Sequence, residues 1–123
     1  YILDPPETII KKFKSAVTDS EAQVAYREGK DGINNLMTIY SCVTGKSYEQ
    51  IESEFAGKGY GDFKMAVGQA VADHLAPIRE KYNQLMNDKP YLESCYRAGA
   101  EKASRIAGRT LEKVYKKVGF LAK

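Results

Sequence analysis

Lys102, Arg105, Arg109, Lys113 and Lys116 follow one another at intervals of three and four residues, the spacing that lines up one face of an α-helix. At about 100° per residue they fall within roughly 80° of one another, on a ridge about four turns long. Ala103, Ile106, Ala107, Thr110, Leu111, Val114 and Val118 occupy a separate sector, which is expected to face a core. The chemistry open to five aligned cations is contact with a polyanion, each cation releasing condensed counterions from a phosphate backbone. The same pattern also describes a solvated face that confers only solubility, and cations near a helix C-terminus suit its dipole without any partner. Charge alone leaves both readings open.

Elsewhere the reactive side chains are sparse. Gly57-Lys58-Gly59-Tyr60-Gly61 looks superficially like a phosphate cradle, but it lacks the Gly-Lys-Ser/Thr ending of a P-loop and follows no strand. A tight turn between helices is the better reading, with Lys58 and Lys64 offering charge to RNA or to another domain. Thr18-Asp19-Ser20 consists of three capping and turn-forming side chains. The single histidine, His74, sits between apolar positions with no Ser or Cys nucleophile identifiable near it, and is expected to be satisfied or partly exposed rather than catalytic. Cys42 and Cys95 have no neighbouring Cys or His at ligand spacing, so no metal site is expected and both read as reduced thiols in apolar surroundings. Asn34-Asn35 could present amides to a base, but capping of the second helix is the expectation. Tyr40, Tyr48, Tyr60, Tyr82, Tyr91, Tyr96 and Tyr115 include rings able to stack on bases, but core filling accounts for them equally and none is singled out.

The elements that must position these residues are helices. No β-branched alternation persists, and no Asn-Gly or Asp-Gly dipeptide joins two such runs. Asp4-Pro5-Pro6-Glu7 supplies a cap, a proline at the first helical position and an acid three residues after the cap, and Ile9, Ile10, Phe13, Ala16 and Val17 form the apolar face that follows. Residues 18–31 show no period and read as a long loop, a length usually tied to a site or a domain contact. Ile33, Leu36, Met37, Ile39, Tyr40 and Val43 mark a second helix closed by Gly45, and Ser47 with Gln50 forms a capping box for a short third one. After the glycine-rich break, a helix over about 62–86 carries Phe63, Val67, Ala70, Val71, Leu75, Ile78, Tyr82 and Leu85, with Pro77 bending it rather than ending it. Asn87-Asp88-Lys89-Pro90 opens a last helix that ends at Gly119. The expected fold is all-α, a single helical bundle of five to six helices over residues 1–123 with a Pro-kinked long helix.

The bulk properties fit that picture. At 123 residues, 43% hydrophobic and 28% charged, the chain has the composition of one globular domain. No apolar run approaches the ~20 residues needed to cross a bilayer, and the start has no signal-peptide pattern, so a cytoplasmic protein with no membrane partner is expected. A first residue other than Met makes a piece of a longer chain the expectation. The net charge of +3 is unevenly spread: residues 97–123 hold eight basic and two acidic side chains, and the rest is mildly acidic. Such a basic end points to a polyanionic partner.

Several stretches together resemble the bacterial tryptophanyl-tRNA synthetases. They are Leu3-Asp4-Pro5-Pro6 with Ile9-Ile10-Lys11-Lys12, Ala16-Val17-Thr18-Asp19-Ser20, Gly32-Ile33-Asn34-Asn35-Leu36 with Ile39-Tyr40-Ser41 and Thr44-Gly45, then Gly57-Lys58-Gly59-Tyr60-Gly61 with Phe63-Lys64, Pro77-Ile78-Arg79-Glu80-Lys81-Tyr82, and Gly99-Ala100-Glu101-Lys102-Ala103. The match runs in order along essentially the whole chain, and the glycine-rich run before Phe-Lys is its most distinctive part. The resemblance implies the carboxy-terminal helical domain of a class I aminoacyl-tRNA synthetase, a domain that contributes to anticodon recognition. The two nucleotide-binding signatures of that family, of the HIGH and KMSKS type, are not in this sequence. The resemblance therefore implies that ATP with magnesium belongs to a catalytic Rossmann domain outside this chain, that this piece alone is catalytically inactive, and that the parent enzyme is a homodimer.

The reading drawn from residues and resemblance together is a tRNA-recognition domain of a tryptophan–tRNA ligase. Lys102, Arg105, Arg109, Lys113 and Lys116 would hold the RNA backbone, with Lys58 and Lys64 as secondary contacts. Thr18, Asp19, Ser20 and Tyr60 would lie near the joint with the enzyme's own catalytic domain. The alternative is a mainly structural domain that couples to that core and binds no RNA independently.

Overall fold

The computed structural model describes residues 1–120 and places five α-helices among them, with no strand. The helices are α1 (Pro6–Lys14), α2 (Asp31–Thr44), α3 (Tyr48–Glu54), α4 (Tyr60–Asn87) and α5 (Lys89–Val118). The all-α expectation holds. The chain divides into two compact units, Tyr1–Glu80 and Lys81–Lys123.

In the first unit the core is built where the apolar periods predict it. Ile33, Leu36, Met37 and Tyr40 of α2 meet Ile51 of α3, Phe55, and Phe63 and Val67 of α4, with Val24 contributed by the loop. Three aromatic rings lock this centre edge to face: Phe55 and Phe63 lie 5.0 Å apart and Tyr40 stands 6.0 Å from Phe63, a geometry that satisfies the ring quadrupoles. Two glycines permit close approaches. A Cβ on Gly68 would come within 3.0 Å of Ile10 Cα, so α1 lies directly against α4, and one on Gly32 would meet the Val17 carbonyl oxygen at 2.4 Å.

The punctuation mostly acts as read. Ser47 accepts from the Gln50 amide and Gln50 bonds back to Ser47, completing the capping box. Gly45 and Gly119 close α2 and α5 in the left-handed region, and α4 runs through Pro77 without ending. Asp88 caps α5 by accepting from the Tyr91 amide.

Four local expectations are corrected. α1 stops at Lys14, and Asp4 does not cap it but pairs with Lys12 at 2.6 Å. The glycine-rich break is shorter than expected, because α4 already begins at Tyr60. Asn34 does not cap α2; its side chain accepts from the Arg27 amide and donates to the Arg27 carbonyl, tying the loop to the first turn of α2. Cys42 and Cys95 are exposed free thiols rather than packed ones.

In the second unit α5 buries no residue. The sector expected to face a core is open, with Ile106 60% and Val118 56% exposed and Leu111 and Val114 close to half exposed. Helical period reports that a face is apolar, not what covers it, and nothing among the described residues buries this one.

Candidate nucleic-acid interface

The structure sorts the predicted site residues into two groups. Lys102, Arg105, Arg109, Lys113 and Lys116 all lie on α5 and are all exposed. With 1.5 Å of rise per residue the ridge is about 21 Å long. None of the five forms an ion pair among the described residues. Beside the ridge a depression of about 330 Å³ is lined by Ala98, Glu101, Lys102 and Arg105. Unpaired cations cost little to present to a phosphate, because no internal salt bridge has to be broken first.

The second group lies in the first unit. Lys58 is exposed in the turn before α4, its ammonium 5.2 Å from the centre of the Phe55 ring. Lys64, on the first turns of α4, donates to the Ala16 carbonyl at 2.8 Å and so anchors the chain leaving α1. Asp19 and Tyr60 are brought together: the Tyr60 hydroxyl donates to Asp19 Oδ1 at 2.6 Å. Thr18 is half-buried beside them and Ser20 is exposed.

The centre of this group is a residue the sequence reading missed. Lys30, the residue before α2, is only 2% exposed. Its ammonium donates to Tyr60 Oη at 2.8 Å, to Asp19 Oδ1 at 3.1 Å and to the Gln23 carbonyl at 3.2 Å, and it pairs with Glu21 at 2.9 Å. Glu21 is held in turn by Arg27. These residues come from separate places in the chain, and the Tyr60–Asp19 bond spans 41 positions. No local pattern announces such a knot; the only signal is a lone Lys facing two acids across a loop.

The electrostatics follow from those contacts. The Tyr60 hydrogen bond, with the Glu21 amide and Lys30, outweighs burial and lowers the Asp19 carboxyl from 3.8 to about 2. For Lys30 burial is the largest influence and opposes the charge, but the bonds to Tyr60, Glu21 and Asp19 overcome it and raise its pKa. Burial and the bond to Asp19 push Tyr60 upward. Asp19 Oδ2 is buried without a hydrogen-bond partner. A carboxyl depressed on folding stabilises the fold above its unfolded pKa and loses that contribution as pH falls through the folded value. The urea midpoint should therefore decline from about pH 3.8 down towards 2. Asp19→Asn, which cannot titrate, should flatten that part of the profile; an unchanged profile would show that other carboxylates govern acid unfolding.

The remaining candidates are peripheral. His74 is exposed on α4, and no cluster of three or more metal-ligating side chains occurs among the described residues. No helix among them is long and apolar enough to cross a membrane.

The arrangement of a free cationic ridge on one unit and a loop tied by a buried ion knot on the other can be set beside known proteins. The sequence profile of the tRNA synthetases class I (W and Y) matches residues 1–76. The chain belongs to this family. A tryptophan–tRNA ligase of Bacillus anthracis is 50% identical over 123 residues, covering 99% of this chain and 37% of its own length. One from Clostridium acetobutylicum is 46% identical over 120 residues, covering 98% of this chain and 36% of its own. The crystal structure of tryptophanyl-tRNA synthetase from Mycoplasma pneumoniae superposes with a TM-score of 0.67 at 27% identity, over 98% of this chain and 37% of that one. The chain thus spans a little over a third of these class I synthetases, and the likeness reaches beyond residue 76 to include α5.

Proposed function

We propose that this chain is the tRNA-recognition part, on the anticodon side, of a tryptophan–tRNA ligase, the enzyme that attaches tryptophan to its tRNA with ATP. The observation that carries the reading is the ridge on α5: five exposed cations without ion-pair partners among the described residues, in a chain whose relatives over 98–99% of its length are tryptophan–tRNA ligases. In this reading Lys102, Arg105, Arg109, Lys113 and Lys116 position the tRNA backbone, which sets register without reading sequence, and Lys58 adds a contact from the first unit. ATP, magnesium and the chemistry of tryptophan activation belong to the remaining length of the parent enzyme, a cytoplasmic homodimer in which this piece is inactive alone.

The test is Arg105→Ala with Arg109→Ala. Exposed Arg-to-Ala changes on a helix leave stability within about 0.5 kcal/mol. Each lost phosphate contact should reduce the slope of log affinity against log salt by about 0.7–0.9. The double variant should therefore bind tRNA more weakly, with a salt slope shallower by about 1.5. An unchanged affinity and slope would remove the ridge from the interface.

A second reading is favoured by a different observation. The exposed apolar sector of α5 fits a surface that packs on the rest of a longer enzyme. In that reading Thr18, Asp19, Ser20 and Tyr60 act at a joint with the catalytic domain, and the chain serves to couple movements rather than to hold RNA. Charging assays on the whole enzyme separate the two: ridge substitutions impair the first reading's enzyme, and only joint substitutions impair the second's.

A further inference from the structure

We propose that Pro77 makes α4 a hinge, so that α5 and its cationic ridge change direction while the core of the first unit keeps its structure. The hinge rests on the fold alone. Its use, letting the ridge follow a curved phosphate backbone, rests on the RNA-binding reading above.

α4 is one continuous helix, Tyr60–Asn87, yet the boundary between the two compact units falls inside it, between Glu80 and Lys81. Every buried residue of α4 precedes Pro77: Phe63, Val67, Gly68 and Ala72. That part of the helix is also clamped by its neighbours. Ile10 of α1 lies against Gly68, and Lys64 donates to the Ala16 carbonyl at 2.8 Å. Beyond the boundary the picture reverses. No residue from 81 to 120 is buried, and Tyr82 and Met86 are 42% and 49% exposed. Among the described residues, the helix is therefore held on one side of the proline and not on the other.

Pro77 stands near that change. It has no amide hydrogen to offer the Asp73 carbonyl, and its ring crowds the same oxygen, so one bond of the helical ladder is missing and the turn is weakened. Proline is among the few causes of sharp bends in helices. Packing on both sides of a proline fixes the bend. Here only the first side is packed, so the weakened turn itself sets the angle.

Two contacts fit this division. Past Pro77, Arg79 Nη1 donates to the Asp4 carbonyl at 3.4 Å, a bond long enough to be weak, which a flexible side chain keeps or releases as the helix bends. The corner between α4 and α5 is firmer. The Asp88 amide donates to the Leu85 carbonyl at 3.1 Å, and the Asp88 carboxylate accepts from the Tyr91 amide at 3.1 Å. A bend at Pro77 is thus carried into α5 rather than lost at the corner. Hinges in general are a few residues that absorb a backbone change between elements that keep their own structure.

The chain supplies its own probes. Cys42 on α2 and Cys95 on α5 are its two cysteines, and both are exposed. Spin labels on them, read by pulsed electron resonance in the whole chain, should give a broad distribution of distances. Pro77→Ala restores the amide donor and favours helix, so it should narrow the distribution. It should also slow hydrogen exchange of the amides at 78–81 by at least about tenfold, with exchange in α2 unchanged. A distribution equally narrow with and without the substitution would overturn the proposal. So would a broad one that Pro77→Ala leaves as it is, which would move the flexible point to the α4–α5 corner. Adding tRNA separates the hinge from the RNA-binding reading. A broad distribution narrowed by Pro77→Ala in a chain that binds no tRNA keeps the hinge and removes its use. Salt-dependent tRNA binding by a chain with a narrow distribution leaves the RNA-binding reading standing while the hinge falls.

Discussion

Replacing Lys30 with Met will destabilise the first unit by about 1–3 kcal/mol, the cost of removing a charged hydrogen-bond partner from a partly buried cluster. The argument is one of asymmetry. Lys30 is 2% exposed and satisfies Asp19, Tyr60, Glu21 and the Gln23 carbonyl together. Met fills much of the same space but removes the cation: Asp19 Oδ1 keeps the Tyr60 hydroxyl and the Glu21 amide, while the carboxylate charge, beside an Oδ2 that already lacks a partner, loses its compensation. Loss of the knot should also free the loop, since the same ammonium holds residues 19, 21 and 23 against Tyr60 at the start of α4. The urea midpoint at neutral pH, followed by circular dichroism, measures the change. A loss below about 1 kcal/mol would mean the knot is solvated in practice and contributes as little as a surface pair. Adding Asp19→Asn to Lys30→Met should recover part of the loss, because the stranded charge disappears with its partner.

Phe63→Ala should cost more, about 3–5 kcal/mol, for a different reason. Phe63 is fully buried and stands edge to face with both Phe55 and Tyr40, so truncation removes two aromatic contacts as well as the ring's own burial. The neighbours come from α2, α4 and the end of α3, and such a junction cannot collapse on the hole without moving three elements. Against a total stability of ordinarily ~5–15 kcal/mol, the variant should show a much lower urea midpoint at an unchanged slope. Phe63→Leu, which keeps most of the volume, should lose markedly less; equal losses for Ala and Leu would place the effect in ring geometry rather than in the cavity.

The two variants also mark how far the sequence could be read. Phe63 was visible because helical period and apolar type coincide at it, as they do at Ile33, Met37, Ile51 and Val67, and every one of these is buried. Local chemistry likewise announced Ser47 with Gln50, Gly45, Asp88 and Gly119, since caps and left-handed closures depend on a few adjacent residues. Lys30 was invisible because its partners are assembled by the fold across up to 41 positions. The same limit hid Glu52 and Tyr26, whose meeting joins the loop to α3. At α5 the pattern was legible and its consequence was not: an apolar sector at Ile106, Leu111, Val114 and Val118 needs a covering surface, and the expectation of a core in this chain failed because the described residues supply none. The cationic side chains, by contrast, depend only on spacing along one helix, and all five lie exposed on α5.

The most direct measurement is binding of this chain to a labelled anticodon stem-loop of tryptophan tRNA, beside one with altered anticodon bases, at two salt concentrations. Tighter binding to the cognate loop, falling steeply as salt rises, is the result predicted for an anticodon-side recognition domain that grips the backbone with α5. Binding to neither loop would contradict RNA recognition by this chain and leave the coupling role as its function; equal binding to both would keep the backbone grip and remove base recognition.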